Sequence, residues 1–151
     1  MGEQAPAVSA GVDTHKDTHY AAVITETGRH VEAASFSTTP DGYRALTAFI
    51  TGFGPVSLVG VEGTGSYGAG LARHLTGSGL EVVEVLRPTR QVRRMRGKSD
   101  EIDAYAAAES ALAGTNCSTP KDGDGLVEAI RVVTTARRSA VKRPRFDAAP
   151  V

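Results

Sequence analysis

The amino-acid sequence predicts an α/β fold in which helices pack on a mixed β-sheet. Three short β-type runs, separated by turn formers, lie between residues 8 and 36. A fourth run, GPVSLVGVE, is apolar almost throughout, as expected for a strand that is buried on both faces. Strand and helix patterns then alternate, and the complete order βββαβαβα is typical of a sheet with helices on its faces.

The N-terminal part of this pattern consists of a meander and a helix. The runs VSAGVD, YAAVIT and HVEAASF are separated by THKDTH and ETGR, which predicts three antiparallel strands. Pro40 and Asp41 then open an amphipathic helix. Four apolar residues share one face of this helix: Tyr43, Leu46, Phe49 and Ile50.

The later elements alternate between helix and strand. SYGAGLARHL predicts a helix after GPVSLVGVE, LEVVEVL predicts the next strand, and residues 100 to about 112 predict another helix. Ser66 and Ser99 are expected to cap these two helices. The SYGAGLARHL helix carries three apolar residues spaced by four: Tyr67, Leu71 and Leu75. AGTNCSTPKDGDG is expected to be a loop, followed by a last helix from about residue 126 to 142.

A single domain is expected over residues 8–115, because 151 residues leave room for one packed core and little more. Residues 1–7 are expected to be disordered. Residues 116–143 should form a loop and the start of a long basic helix. The tail, 144–151, is expected to be disordered because Pro144 ends the helix and little apolar surface follows.

Composition indicates a soluble cytoplasmic protein. The chain is 40% hydrophobic and 23% charged, and no apolar run approaches the roughly 18 residues that a membrane span requires. The N-terminus lacks the features of a secretory signal. Cys117 is the single cysteine, so an internal disulfide is excluded, and no residue at zinc-ligand spacing accompanies it.

Charge is distributed unevenly along the chain although the net charge is zero. Residues 1–86 contain 4 basic and 9 acidic side chains, whereas residues 87–151 contain 13 basic and 8 acidic ones. Six cations fall within RPTRQVRRMRGK with no acid among them: Arg87, Arg90, Arg93, Arg94, Arg96 and Lys98. This run favours contacts with nucleic-acid phosphates, and the lack of interleaved aromatic residues argues against base stacking. Alternatively, these six cations form an ordinary solvent-exposed surface without a nucleic-acid partner.

Four carboxylates are candidates for a metal site. Asp13 and Glu62 end the first and fourth predicted strands, and ligand-binding groups of open α/β sheets collect at strand ends. Asp100 and Asp103 are three residues apart and share one helix face, from which Glu101 points away. Clustered carboxylates suit Mg²⁺ or Mn²⁺, and such ions support phosphodiester chemistry. Alternatively, the helix acids only complement the helix dipole and Asp13 is a turn residue.

Two other ligand patterns are present. The alternation Asp13, His15, Asp17, His19 would form a zinc site if one strand carried all four residues, but THKDTH is rich in turn formers and favours a solvated hairpin. Gly63, Gly65 and Gly68 spell G-x-G-x-x-G between a strand and a helix, with Glu81 or Glu84 about 20 residues on, which is the pattern of a dinucleotide-binding oxidoreductase. Glu62 would then lie beside the pyrophosphate, and the motif falls in the fourth strand instead of the first. Alternatively, the glycines bind no nucleotide and only allow a tight turn and the close packing of the following helix.

Four segments together resemble a known family. GVDTHKDTH, GVEGTGSYGAGLARHL, VVEVLRPTRQVRRMRGKSDEIDAYAAA and DGLVEAIRVVTTARRSAVK are similar, in order and separation, to the N-terminal domain of the DEDD transposases of the insertion sequence 110 family. The resemblance covers about residues 8–143 and implies a ribonuclease-H-like, RuvC-like fold. It places the family's acidic tetrad at Asp13, Glu62, Asp100 and Asp103, which in the family hold divalent metal for DNA strand cleavage and exchange.

The same resemblance implies partners and a larger protein. DNA is the expected partner, some members use a bridge RNA as guide, and the full-length family is expected to form homo-oligomers in the bacterial nucleoid. Family members continue into a second domain with a nucleophilic serine, and this chain is expected to lack it and to be a truncated transposase. A nucleic-acid-binding remnant without catalytic activity is the remaining alternative.

Overall fold

The computed structural model describes residues 4–86 and 99–118. Within these ranges the chain forms six strands and three helices. The strands are β1 (Val8–Thr14), β2 (Thr18–Thr25), β3 (His30–Ser37), β4 (Val56–Glu62), β5 (Val82–Val85) and β6 (Cys117–Ser118). The helices are α1 (Pro40–Thr51), α2 (Ala69–Gly77) and α3 (Asp100–Ala113).

The strands form one mixed sheet in the order β3-β2-β1-β4-β5-β6. β1, β2 and β3 pair antiparallel, so the predicted meander is confirmed. β4 inserts beside β1 and parallel to it, and β5 pairs parallel with β4. This mixed sheet with helices on both faces confirms the predicted α/β class and is consistent with a ribonuclease-H-like fold.

The two faces of the sheet have different cores. On one face, α1 and α2 contribute larger aliphatic side chains, Leu46, Ile50 and Leu71 among them, which pack on Val12 and Val61. On the other face, α3 contributes mostly alanines, which contact β1, β2, β4 and β5. β1 and the C-terminal half of β4 are buried throughout, as their central position requires.

Two glycines allow α3 to lie unusually close to the sheet. A Cβ atom added to Gly11 would be 2.1 Å from the Ala108 nitrogen and 2.4 Å from the Ala104 oxygen. A Cβ atom on Gly60 would be 2.8 Å from the Ala107 oxygen. These atoms belong to the helix backbone, which cannot rotate away, so the missing side chains determine how closely the helix approaches the sheet.

The predicted start of α2 is wrong. Ser66 does not cap the helix, because the N-cap is Gly68 and it makes no side-chain hydrogen bond. The Ser66 and Gly68 amides both donate to the Gly63 oxygen, at 2.9 Å, so this segment forms a closed turn before the helix begins at Ala69. Tyr67 lies in the turn and is 55% exposed, so it does not share a helix face with Leu71 and Leu75 as predicted.

The predicted cap of α3 is confirmed. The Ser99 hydroxyl accepts a hydrogen bond from the Ile102 amide at 3.1 Å. The helix ends at Gly114, which has a left-handed conformation with φ 72°, and Asn116 has φ 53°. These residues reverse the chain so that residues 117–118 pair antiparallel with β5, within a stretch that was predicted to be a loop. The last predicted helix, residues 1–3 and the C-terminal tail lie outside the described residues.

Candidate metal centre

Asp13 and Glu62 lie side by side at the carboxyl ends of two parallel strands. Val12 and Val61, the residues just before them, are partners in the β1–β4 register. Neighbouring strands are about 4.8 Å apart, and side chains at equivalent positions point to the same face. Gly11 and Gly60 face α3, so Asp13 and Glu62, two residues later on each strand, face it too. Both carboxylates are buried, with 2% and 4% exposure.

Asp100 and Asp103 approach this strand end from the first turn of α3. Ala104 and Ala107 lie against Gly11. Asp100 is one helical turn before Ala104, and Asp103 is one turn before Ala107, so both acids project beyond Gly11 toward Asp13. Asp100 is 59% exposed and Asp103 is half-buried.

Glu101 lies on a different side of α3, as the spacing predicts. It borders a surface groove that is also lined by His30, Tyr105 and Glu109. The helix therefore presents two acids to the strand end and directs the third away from it.

His15 joins Asp13 to Asp100. Its Nε2 atom is 2.8 Å from Asp13 Oδ2 and 3.3 Å from Asp100 Oδ1. One donor atom from each of these three residues lies within 4.8 Å of the other two, which is close enough for a single metal ion. In the described part of the chain no second group of this kind occurs, and neither Glu62 nor Asp103 belongs to this one.

The zinc alternation suggested by THKDTH does not form. β1 ends at Thr14 and β2 begins at Thr18, so the chain turns between His15 and His19. His19 belongs to the opposite face of the sheet, where it is fully buried and its ring stacks on Tyr43 with centroids 5.9 Å apart. Burial lowers the pKa of His19. Of the two histidines, only His15 therefore reaches the acidic site. The prediction of a solvated hairpin missed this role.

Comparison with known families gives a direct match. The model of a family described as transposase, the DEDD transposases of insertion sequence 110, matches residues 10–145. The chain belongs to this family. The match extends over most of the chain and includes every element described above except the first two residues of β1.

Other comparisons add little to this transposase assignment. One solved structure, the ethanolamine utilization protein EutJ from Carboxydothermus hydrogenoformans, is 19% identical, with a TM-score of 0.38. The alignment covers 62% of this chain and 41% of that protein, so the chain spans less than half of the EutJ length. No curated protein matches. None of the described helices is long and apolar enough to cross a membrane.

In the transposase, the loop of the G-x-G-x-x-G pattern, residues 63–68, forms hydrogen bonds within its own backbone. The amides of Ser66 and Gly68 donate to Gly63, and the amide of Ala69 donates to the Ser66 oxygen. These amides are therefore not free to bind a pyrophosphate, which disfavours the dinucleotide interpretation. Gly63 has φ +64°, and a Cβ atom on Gly68 would be 2.6 Å from the Glu62 oxygen.

The loop instead supports the strand end that carries Glu62. The Thr14 hydroxyl donates to the Glu62 backbone oxygen at 2.8 Å, which ties the ends of β1 and β4 together. Glu84, one of the two acids considered for ribose binding, is buried in β5 and accepts a hydrogen bond from Ser118. The six cations between Arg87 and Lys98 lie outside the described residues.

Proposed function

We propose that this chain is the metal-dependent catalytic domain of a DNA transposase, which takes part in DNA strand cleavage and exchange. The supporting observation is the convergence of two buried carboxylates, Asp13 and Glu62, with the acidic first turn of α3. Family membership independently supports a transposase that acts on DNA.

The electrostatics of the site favour a bound cation. Burying ionised carboxylates next to one another is unfavourable unless positive charge compensates. Among the described residues, His15 is the ion-pair partner of Asp13 and Asp100. A neutral imidazole supplies no charge, and a protonated one supplies a single charge for the two acids that it contacts. A divalent cation would compensate the remainder.

The donor set fits Mg²⁺ or Mn²⁺, and we assign Asp13, Glu62, Asp100 and Asp103 as the residues that hold it. Carboxylate oxygens are the preferred ligands of these ions. Such an ion, when bound, activates a nucleophile and stabilises a leaving oxygen at phosphorus. The sheet holds Asp13 and Glu62 rigidly, and Asp100 lies at the solvent-exposed rim, where a DNA phosphate could approach.

Thermal unfolding with and without ions tests this assignment. At a concentration 100 times its Kd, an ion that binds only the folded chain adds about 2.7 kcal/mol, which corresponds to a rise in Tm of about 10 °C for a domain of this size. Asp13→Asn and Glu62→Gln should remove most of the rise. Asp41→Asn is the matched control, because Asp41 is an exposed acid in the first turn of α1 that pairs with Arg44. A Tm that does not respond to either ion in the intact chain contradicts the proposal.

Phosphate contacts by the basic run are the second part of the proposal: Arg87, Arg90, Arg93, Arg94, Arg96 and Lys98. Full neutralisation of six phosphates predicts a slope of about −5 for log K against log salt concentration on duplex DNA. Replacing Arg93, Arg94 and Arg96 by alanine should reduce the slope by about 3. Arg29→Ala with Arg44→Ala is the control, since both lie far from the run in the chain. An unchanged slope in the triple variant would exclude this surface.

The two assays also separate the alternatives. A nucleic-acid-binding remnant would retain salt-dependent DNA binding and show no response to metal ions. An oxidoreductase would bind NAD(H) or NADP(H) saturably, and we expect no such binding. A bridge RNA, a homo-oligomer and a cytoplasmic, nucleoid-associated location belong to the same proposal, on the strength of the family alone.

A further inference from the structure

His15 is a nitrogen donor placed between two of the acids just assigned to metal binding. Its Nε2 atom contacts carboxylate oxygens from two separate elements, Asp13 on β1 and Asp100 on α3. The imidazole is 45% exposed, so it borders the open side of the site, whereas Asp13 forms the buried floor. This inference rests on the proposed function and concerns the identity of the ion.

The backbone holds His15 in this position. The His15 amide donates to the Thr18 oxygen at 3.0 Å, which closes the turn between β1 and β2. The Thr38 hydroxyl donates to the His15 oxygen at 3.4 Å, and the Thr38 amide donates to the Asp17 oxygen at 3.1 Å. The turn is therefore fastened to the end of β3, so the histidine is presented to the site from a fixed backbone.

The distances among the donor atoms match those around an octahedral ion. Adjacent ligands at about 2.1 Å from an ion are about 3.0 Å apart when they subtend a right angle. The Nε2 atom of His15 is 2.8 Å from one carboxylate oxygen and 3.3 Å from the other, values on either side of this spacing. All three donors fit within 4.8 Å, so little movement would place them around one ion.

We propose that His15 is a metal ligand through Nε2 and that it makes the site select Mn²⁺ over Mg²⁺. Mg²⁺ takes oxygen ligands and retains its waters, whereas Mn²⁺, as a first-row transition ion, accepts an imidazole nitrogen beside carboxylate oxygens more readily. A site of carboxylates alone would discriminate weakly between the two ions. One imidazole in the set shifts the preference toward Mn²⁺.

A different role for His15 predicts effects of opposite sign. If the imidazole were only a counter-cation between Asp13 and Asp100, an incoming ion would displace it. Removing His15 would then strengthen the binding of both ions. If it is a ligand, its removal weakens Mn²⁺ binding and leaves Mg²⁺ binding nearly unchanged.

Calorimetric titration of the full chain with Mn²⁺ and with Mg²⁺, at pH about 8, where free imidazole is neutral, distinguishes these outcomes. We expect the unmodified chain to bind Mn²⁺ at least about tenfold more tightly than Mg²⁺. His15→Ala should remove most of this preference by weakening Mn²⁺ binding. His30→Ala is the matched control: His30 Nε2 also lies 2.8 Å from a carboxylate oxygen, that of Glu109, but among the described residues it pairs with no second acid.

Electron spin-echo spectroscopy of bound Mn²⁺ provides a readout that does not depend on the folding of a variant. Coupling to an imidazole ¹⁴N should be present in the unmodified chain and in His30→Ala, and absent in His15→Ala. Mn²⁺ binding without nitrogen coupling, equal loss of both ions in His15→Ala, or a gain for both overturns the role of His15 while leaving the metal site in place. If neither ion binds the unmodified chain, the proposed function itself fails.

Discussion

Replacing Gly11 with alanine tests how the packing of α3 controls the metal centre. The added Cβ would lie 2.1 Å from the Ala108 nitrogen and 2.4 Å from the Ala104 oxygen, whereas an ordinary contact begins at 3.4 Å. Because the opposing atoms are helix backbone, no side-chain rotation relieves the overlap. The helix must therefore move away from β1 by about 1.3 Å at this point.

The displacement is large compared with the tolerance of a metal site. Ligand distances in such sites hold to within about 0.2 Å, and Asp100 lies only one to two turns from the point of overlap. Overpacking of this kind costs about 1–3 kcal/mol, and we expect the upper end because no flexible group can yield. The corresponding fall in Tm is about 12 °C.

Thermal unfolding with and without Mn²⁺ measures both effects. Gly11→Ala should lower the Tm of the ion-free chain and should abolish the increase caused by the ion. Gly77→Ala is the matched control, because a Cβ there meets nothing within 4 Å, and reduced freedom of the unfolded chain should stabilise it by about 0.4–1 kcal/mol. If Gly11→Ala unfolds within about 2 °C of the unmodified chain and retains its response to Mn²⁺, the close packing of α3 does not position the acids.

Three further predictions concern residues outside the metal centre. Ser99→Ala removes the hydrogen bond that the Ile102 amide donates to the Ser99 hydroxyl and should cost about 1 kcal/mol in urea unfolding, whereas Ser99→Asp should retain most of the stability. Burial lowers the pKa of His19, so the unfolded chain binds the proton more readily and stability should decline as pH falls below about 6.5. His19→Phe, which retains an aromatic ring beside Tyr43, should flatten that decline, and an unchanged pH profile would refute the assignment. Burial raises the pKa of the Cys117 thiol to about 11, so alkylation at pH 8 should be roughly 100-fold slower than in the denatured chain; equal rates would contradict this.

The local pattern of the sequence predicted most of the fold. Turn formers divide the first 36 residues into three strands, and the apolar run at Val56–Glu62 could only be a buried strand. Ser99 could be recognised as a cap because its partner is three residues away. The α/β class and the family were predicted correctly for the same reason, since the motifs occur in order along the chain.

Contacts between distant residues could not be predicted in the same way. His15 looks like a hairpin residue in sequence, and only the docking of α3 brings Asp100 to within 3.3 Å of it. The short pairing of Cys117 with Val85 likewise depends on the turn at Gly114. Ser66 is a residue type that commonly caps helices, but here it belongs to the turn before the helix, where its amide donates to the Gly63 oxygen.

The alanine-rich face of α3 has a consequence for the order of folding. Gly11 and Ala108 touch although they are roughly 100 residues apart in the chain, so a large loop must close before this contact can form. The carboxylates on β1 and β4 would therefore stay separated from Asp100 until the final docking of the helix. If α3 docks after the rate-limiting step, an ion that binds the assembled site slows unfolding and leaves the folding rate unchanged, which folding and unfolding rates measured with and without Mn²⁺ would reveal.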